Sequence, residues 1–121
     1  MKVQGTNVRH VMSASTLIGD KVVNDAGEDI GKIEEIMLHV PSGKIAYAVL
    51  SFGGFLGIGD KLFAIPWEAL KLNEDTKSFV LSIAKDKLEK APGFDKDHWP
   101  DMADPKWSQE IYSYYGYRAV W

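Results

Sequence analysis

The most distinctive segment of the chain is Gly53-Gly-Phe-Leu-Gly-Ile-Gly-Asp-Lys-Leu-Phe-Ala-Ile-Pro-Trp-Glu-Ala-Leu70. Its density of glycine would normally indicate a flexible linker. Large apolar side chains stand between the glycines, however, and such side chains are poorly suited to a loop in water. We therefore predict a tight, structured connection in which the glycines supply positive φ angles or close chain approach. The glycines are Gly53, Gly54, Gly57 and Gly59, and the apolar residues are Phe55, Leu56 and Ile58.

The residues after the glycines have the composition of a strand from Lys61 to Ile65. Pro66 ends this strand or marks a sheet edge, because proline has no N–H to donate to a neighbouring strand. Trp67 then begins a short turn, where a large ring can plug one end of a barrel. We assign structural roles to Pro66 and Trp67.

Short strands with turn signals between them flank this stretch. They are predicted at Lys21–Val23, Ile30–Val40, Lys44–Phe52 and Phe79–Ile83. The apolar period of the second strand slips between Ile33 and Ile36, and a one-residue β-bulge near the two intervening glutamates would restore a single apolar face. The third strand is apolar on both faces, so we expect it to be covered on both. The sequence therefore predicts an all-β fold, a small and partly open antiparallel β-barrel.

Helical patterns are confined to the C-terminal third. One or two helical turns are predicted at Lys85–Ala91, and an aromatic-rich helix is predicted after Asp104-Pro105, where a capping side chain precedes a proline. Trp107, Ile111 and Tyr114 or Tyr115 then share one helix face. Disordered tails are poor in aromatic residues, so we expect this helix to close an open side of its own barrel or of a neighbouring copy. The predicted organisation is a flexible N-terminus (1–14), a barrel domain (15–94) and a C-terminal extension (95–121).

Composition limits the class of protein. The net charge is −3, which argues against a general nucleic-acid binder, and there are no cysteines for disulfide or thiolate chemistry. No signal peptide is visible, and the longest clean apolar run, Ala46–Leu50, is far too short to cross a membrane. We expect a cytoplasmic protein without membrane insertion.

No motif assembles a catalytic or cofactor site. Asp60 stands where a phosphate-binding loop needs its lysine, and the glycines precede a strand where a dinucleotide site needs a helix. The three histidines, His10, His39 and His98, are scattered. His98 lies among acidic residues that we interpret as a solvated loop and not as a metal site: Asp95, Asp97 and Asp101. We expect no enzyme, no cofactor and no metal.

Several ordered segments together resemble the PRC-barrel family, named for the cytoplasmic domain of the H subunit of photosynthetic reaction centres. The segments are Leu17-Ile18-Gly19, Gly27-Glu28-Asp29-Ile30-Gly31-Lys32-Ile33, Tyr47-Ala48-Val49-Leu50, Gly53-Gly54-Phe55-Leu56-Gly57-Ile58-Gly59 and Ile65-Pro66-Trp67-Glu68-Ala69-Leu70. The resemblance covers about residues 15–94 and implies a small, partly open antiparallel barrel.

The functions that the resemblance implies are varied and largely non-enzymatic. One branch shapes proton supply to the quinone of the reaction centre, and another is the C-terminal domain of a ribosome maturation factor that docks a ribosomal protein. The sequence offers no counterpart of the H subunit's membrane helix or of the maturation factor's N-terminal domain. We therefore expect the free-standing type, whose partners are unknown.

The predicted function is a non-enzymatic protein-binding and assembly module that associates with itself and with an unidentified protein. Two alternatives remain, a cytoplasmic accessory to a membrane electron- or proton-transfer complex and a small-ligand-binding protein. The predicted self-association surface comprises Phe55, Leu56, Ile58, Trp107, Ile111, Tyr114 and Tyr115. The competing account is that the C-terminal extension covers only its own barrel.

Overall fold

Six strands form one curled, open sheet in a computed structural model that describes residues 11–53, 61–73, 75–76, 78–119 and 121. The strands are β1 (Lys21–Val23), β2 (Asp29–His39), β3 (Lys44–Phe52), β4 (Lys61–Pro66), β5 (Leu70–Asn73) and β6 (Ser78–Leu81). Their order in the sheet is β4-β3-β2-β1-β6-β5. The predicted all-β, partly open barrel is confirmed.

Short helices occupy the connections and the C-terminal end. They are α1 (Ala14–Leu17), a 3₁₀ helix (Trp67–Ala69), α2 (Lys85–Glu89) and α3 (Pro105–Tyr115). The predicted start of α3 is confirmed, because Asp104 accepts a hydrogen bond from the backbone N–H of Lys106 at 3.0 Å and Pro105 is the first helical residue. The helix ends at Gly116, whose φ of 84° lies in the left-handed region that favours glycine.

The pairing of β1 with β6 is the one parallel contact among the described strands, with Val22 opposite Phe79. The other strand pairs are antiparallel, as the turn signals predict. Turn signals report only on strands that follow each other along the chain. They therefore carry no information on the orientation of β1 relative to β6, which come together only when the sheet curls.

The predicted bulge in β2 is confirmed at the glutamates. Ile33 pairs with Leu50 and Glu35 pairs with Val49, so Glu34 is the extra residue. As a result Ile33 and Ile36 both pack into the main core.

A second β-bulge lies nearer the β2–β3 turn, and it is not predicted from the sequence. Met37 pairs with Tyr47 and Leu38 pairs with Ile45, so Ala46 is the extra residue, this time in β3. Ala46 and Tyr47 accordingly belong to the same apolar cluster although they are neighbours in sequence.

Strand β3 is covered on both faces, as predicted, since every residue from Ala46 to Phe52 is buried. On its inner face Ala48 and Leu50 join the main core, which also holds Phe63 and Ile65 of β4. On its outer face Tyr47 joins a second cluster, described below. The sheet is therefore the middle layer of a three-layer arrangement at this point.

Candidate functional site

The outer face of β3 and β4 is covered by the C-terminal segment of the same chain. Ile111 and Tyr112 of α3 are each only 1% exposed, and they pack on Ala46, Tyr47 and Ala64. Burial of this kind is worth roughly 1.5–3 kcal/mol for each large apolar side chain. The predicted role of the extension as a cover for its own barrel is therefore met within one chain.

Two hydrogen bonds attach the segment to the sheet. The Tyr112 hydroxyl donates to the backbone carbonyl of Ala46 at 2.6 Å and accepts from the indole Nε1 of Trp121 at 2.8 Å. Ala46 is the bulged residue of β3, so the irregularity in the strand and the attachment of the helix coincide. We refer to Ala46, Tyr112 and Trp121 as the tail clasp.

Tyr47 is the centre of an aromatic cluster beneath the tail clasp. Its ring centroid lies 5.3 Å from that of Trp107, 5.5 Å from that of Tyr112 and 5.7 Å from that of Trp121, all with edge-on geometry. Aromatic pairs at these distances contribute about 0.5–1.5 kcal/mol beyond the area they bury. The cluster thus adds a specific geometry to the apolar contact.

Three tyrosine hydroxyls in this region differ in their hydrogen bonding. Those of Tyr47 and Tyr115 are buried without a partner in hydrogen-bond geometry, whereas that of Tyr112 is satisfied twice. Burial, reinforced by the neighbouring Tyr112, raises the pKa of Tyr47 above its usual value of 10, and the nearby Ser108 hydroxyl offsets part of this shift. Burial, reinforced by Tyr114, likewise raises the pKa of Tyr115. All three phenols are therefore uncharged at neutral pH.

The predicted self-association residues divide into two groups. Trp107, Ile111, Tyr114 and Tyr115 all pack within this chain, and the Tyr114 hydroxyl also donates to the backbone carbonyl of Lys87 at 2.7 Å. Phe55, Leu56, Ile58, Gly54, Gly57 and Gly59 lie outside the described residues, so their roles stay predictions. Gly53 is exposed at the end of β3.

The sequence analysis missed Tyr112, the residue that carries the tail clasp. A signal for it exists in the spacing of Ser108, Ile111, Tyr112 and Tyr115, which is the i, i+3, i+4, i+7 pattern of one helix face. The choice of Trp107 as the start of the apolar face rotated the predicted stripe away from Tyr112.

Trp67 follows Pro66 at the end of β4 and contacts strand β6, which lies on the other side of the sheet. Pro66 is buried at the end of β4, and the half-buried Trp67 packs against the main core with its ring centroid 5.8 Å from that of Phe79 in β6. This contact connects the β4 end of the sheet to the β6 end. Its position agrees with the structural role predicted for both residues.

The two edge strands of the sheet are protected from further pairing in different ways. At the β4 edge, Leu62 and Phe94 exchange backbone hydrogen bonds of 2.9 and 2.8 Å, and Pro66 has no N–H to leave unpaired. At the other edge, β5 pairs only with β6 in the part of the chain that the structure describes. Strand β5 is short and carries Lys71, a residue that discourages pairing with another chain.

The tip of the β2–β3 hairpin is apolar and bare. Leu38 is 59% exposed and Val40 is 81% exposed, and Leu38 stands directly opposite the half-buried Ile45. These three residues are called the hairpin tip below. Isolated exposed apolar residues are ordinary, but neighbouring ones on a single hairpin form a patch of the kind that marks an interaction surface.

Polar contacts near the candidate nucleophiles and ligands are local. His39 Nδ1 lies 2.7 Å from the Ser42 hydroxyl within the hairpin turn, and that hydroxyl also accepts from the Lys44 N–H at 3.2 Å, so it serves the turn. His98 Nδ1 and Asp95 Oδ2 lie 4.0 Å apart, and both side chains are exposed. Within the described ranges there is no group of three or more histidine, aspartate or glutamate side chains placed to hold a metal ion.

None of the helices between residues 11 and 121 that the structure describes is long and apolar enough to cross a bilayer. The longest, α3, has 11 residues.

Comparison with known proteins gives one result that bears on this geometry. The family model described as PRC-barrel domain matches residues 9–88, which include all six strands. A search of the curated proteins finds no match. The matched residues stop before α3, so the tail clasp joins a residue of the matched region, Ala46, to residues outside it.

Proposed function

The chain belongs to the PRC-barrel domain family, and from this premise we propose that it is a non-enzymatic protein-binding module that associates with a second copy of itself through the hairpin tip. The observation that carries the proposal is the exposure of Leu38 and Val40 at 59% and 81%. The outer face of β3 and β4 is already occupied by the C-terminal segment, whereas Leu38 and Val40 on the hairpin stay exposed.

A second copy is the occupant that the tip favours. A two-fold arrangement brings the same patch of both copies together, so that the Leu38 and Val40 side chains of each are buried against those of the other. Closed contacts of this kind need no further complementary surface. The sequence-based proposal of self-association is thereby retained, with its contact moved from the extension to the hairpin.

The free energy gained by burial and the free energy lost on association together predict a weak and reversible contact. Complete burial of a leucine or valine is worth roughly 1.5–3 kcal/mol, and the two copies together contribute four such side chains. Association costs an estimated 4–15 kcal/mol in lost freedom of motion. Four side chains give roughly 6–12 kcal/mol, so even the most favourable difference is about 8 kcal/mol. We therefore expect a dissociation constant no tighter than about micromolar, as for transient encounters.

The non-enzymatic part of the proposal is supported by how the candidate reactive groups are used. Ser13 lies 3.3 Å from the Ser15 hydroxyl and also contacts the Thr16 hydroxyl, so these groups bond to one another. The His39–Ser42 pair is exposed and belongs to a turn. A nucleophile needs a base that is itself held by a third group, and these pairs have none within the described residues.

Light scattering as a function of concentration tests the proposal. We expect the wild-type protein to show a mass that rises above that of one chain with increasing concentration. The double variant Leu38→Glu/Val40→Glu places two carboxylates in the contact and is expected to stay at the mass of one chain, because burial of unpaired charge is costly.

The matched control is Val11→Glu, since Val11 is 84% exposed and lies outside the hairpin. This variant is expected to associate like the wild type. The proposal is wrong if the wild type keeps the mass of one chain at millimolar concentration. It is also wrong if the hairpin variant and the Val11 variant associate equally well.

A further inference from the structure

A small cavity lies where β5 and β6 meet α2 and the end of α3. Its volume is about 130 Å³. One part of its lining is apolar and comes from Ala69, Leu81 and Ile83. The other part comes from lysine and tyrosine side chains, so the cavity has an apolar side and a polar side.

Among the residues that the structure describes, the charges at the cavity are all positive. Lys71 and Lys87 are the only charged residues that line it, and neither forms an ion pair with any carboxylate in the described part of the chain. The whole sequence has a net charge of −3, so two unneutralised ammonium groups at one cavity are a local exception. A site of this kind attracts an anion.

The polar side is held in position by contacts between α2 and α3. Tyr114 donates its hydroxyl hydrogen to the Lys87 carbonyl at 2.7 Å, and the Lys87 ammonium nitrogen stands 5.4 Å from the centre of the Tyr114 ring. The cation–π contact holds the ammonium group beside the cavity without neutralising its charge. Tyr115 also lines the cavity and has a buried hydroxyl without a partner.

We propose that this cavity binds a small organic carboxylate, with the carboxylate group between Lys71 and Lys87 and a short alkyl group against Ile83. The size supports this class of ligand, because a cavity of roughly 150 Å³ holds a molecule as large as benzene. An alkyl group can contact the half-buried Ile83, whereas inorganic phosphate carries no carbon to place there. The site is independent of the hairpin tip and of self-association.

The test is a titration of the full-length, isotope-labelled protein with sodium propionate, followed by the NMR shifts of its backbone amides. Sodium chloride at equal ionic strength supplies the baseline, and propionamide is the uncharged ligand of the same shape. We expect saturable shifts that are confined to residues around the cavity, with a dissociation constant in the millimolar range. Propionamide is expected to bind at least ten-fold more weakly.

The double variant Lys71→Gln/Lys87→Gln removes both charges, and we expect its affinity for propionate to fall at least ten-fold. Lys90→Gln is the matched control, because Lys90 is exposed at the end of α2 and does not line the cavity. The proposal is overturned if no saturable shift occurs by about 100 mM, roughly a hundred-fold above a millimolar dissociation constant. Equal binding of propionate and propionamide, or equal binding by the double variant and the wild type, also overturns it.

Discussion

The two halves of the β2–β3 hairpin differ in how far their apolar side chains are exposed. At its base, Tyr47 of β3 is 1% exposed beneath the C-terminal segment, whereas at its tip Val40 is 81% exposed. Both halves are rich in apolar residues, so composition does not distinguish them. The segment from Phe94 to Trp121 covers Tyr47 and contacts His39 through the Trp121 ring at 5.1 Å, but it leaves Leu38 and Val40 exposed.

This comparison indicates how an added segment changes a domain's surface. The family match ends at residue 88, and α3 lies beyond it. By attaching to Ala46 through the tail clasp, α3 converts a sheet face into a second core. The apolar residues Leu38 and Val40, which α3 does not cover, stay exposed.

The sharpest test of the comparison truncates one apolar residue in each region. Ile111→Ala is expected to lower the free energy of unfolding by about 3 kcal/mol, because it removes a fully buried side chain and leaves a cavity. Leu38→Ala, at a bare position, is expected to change it by less than about 0.5 kcal/mol. Urea melts of both variants give the values. Equal losses would remove the distinction between base and tip.

Trp67 offers an intermediate case, since it is half-buried against Phe79. Trp67→Ala is expected to cost about 2–3 kcal/mol, less than the loss of a fully buried tryptophan. Trp99 is 40% exposed and supplies the matched control, for which we expect a smaller loss. If Trp67→Ala costs less than Trp99→Ala in thermal or urea melts, then Trp67 does not hold β4 to β6.

The tail clasp is tested by removing single hydroxyl groups. Tyr112→Phe leaves the Ala46 carbonyl and the Trp121 N–H without their partner, so we expect a loss of about 2 kcal/mol. Tyr115→Phe removes a buried hydroxyl that has no partner, and the expected change lies between zero and a gain of about 1 kcal/mol. The clasp has no energetic role if the two variants melt alike.

Alkaline pH tests the buried phenols of Tyr47 and Tyr115. Burial raises the pKa of Tyr47 and Tyr115, so above pH 10 the unfolded chain releases protons that the folded chain keeps. Below pH 10 both phenols keep their protons in the folded and in the unfolded chain, so their titration does not lower the free energy of unfolding. Above that pH, the free energy of unfolding falls by up to about 1.4 kcal/mol per pH unit for each such tyrosine.

Urea melts between pH 9 and 11, taken as roughly one unit on either side of the phenol pKa, measure this slope. The variant Tyr47→Phe/Tyr115→Phe has neither ionisable group, so its free energy of unfolding is expected to fall less steeply with pH. An unchanged slope in this variant would mean that other groups cause the alkaline loss of stability.

The sequence predicts the barrel well because local signals determine it. The β2 bulge follows from the spacing of Ile33 and Ile36, and the start of α3 follows from Asp104-Pro105. The parallel β1–β6 contact and the Ala46 bulge are not predicted. The first depends on how the whole sheet curls, and the second is visible only in the register of β2 against β3.

Which apolar residues stay exposed is harder to predict for a related reason. Exposed and buried apolar residues look alike in a sequence. The surface residues predicted from the sequence therefore include Ile111, which is buried, and omit Leu38, which is exposed. The distinction depends on where α3 docks, and that is set by contacts between residues 66 positions apart in sequence, Ala46 and Tyr112. Only the folded chain contains this information.

The central claim is that the hairpin tip, and not the face beneath the C-terminal segment, meets a second copy. An isotope-filtered NOE experiment on a mixture of ¹³C-labelled and unlabelled protein reports only contacts between copies. We predict such contacts for the methyl groups of Leu38 and Val40 and none for those of Ile111. Intermolecular contacts at Ile111, with none at Leu38 and Val40, would contradict the account.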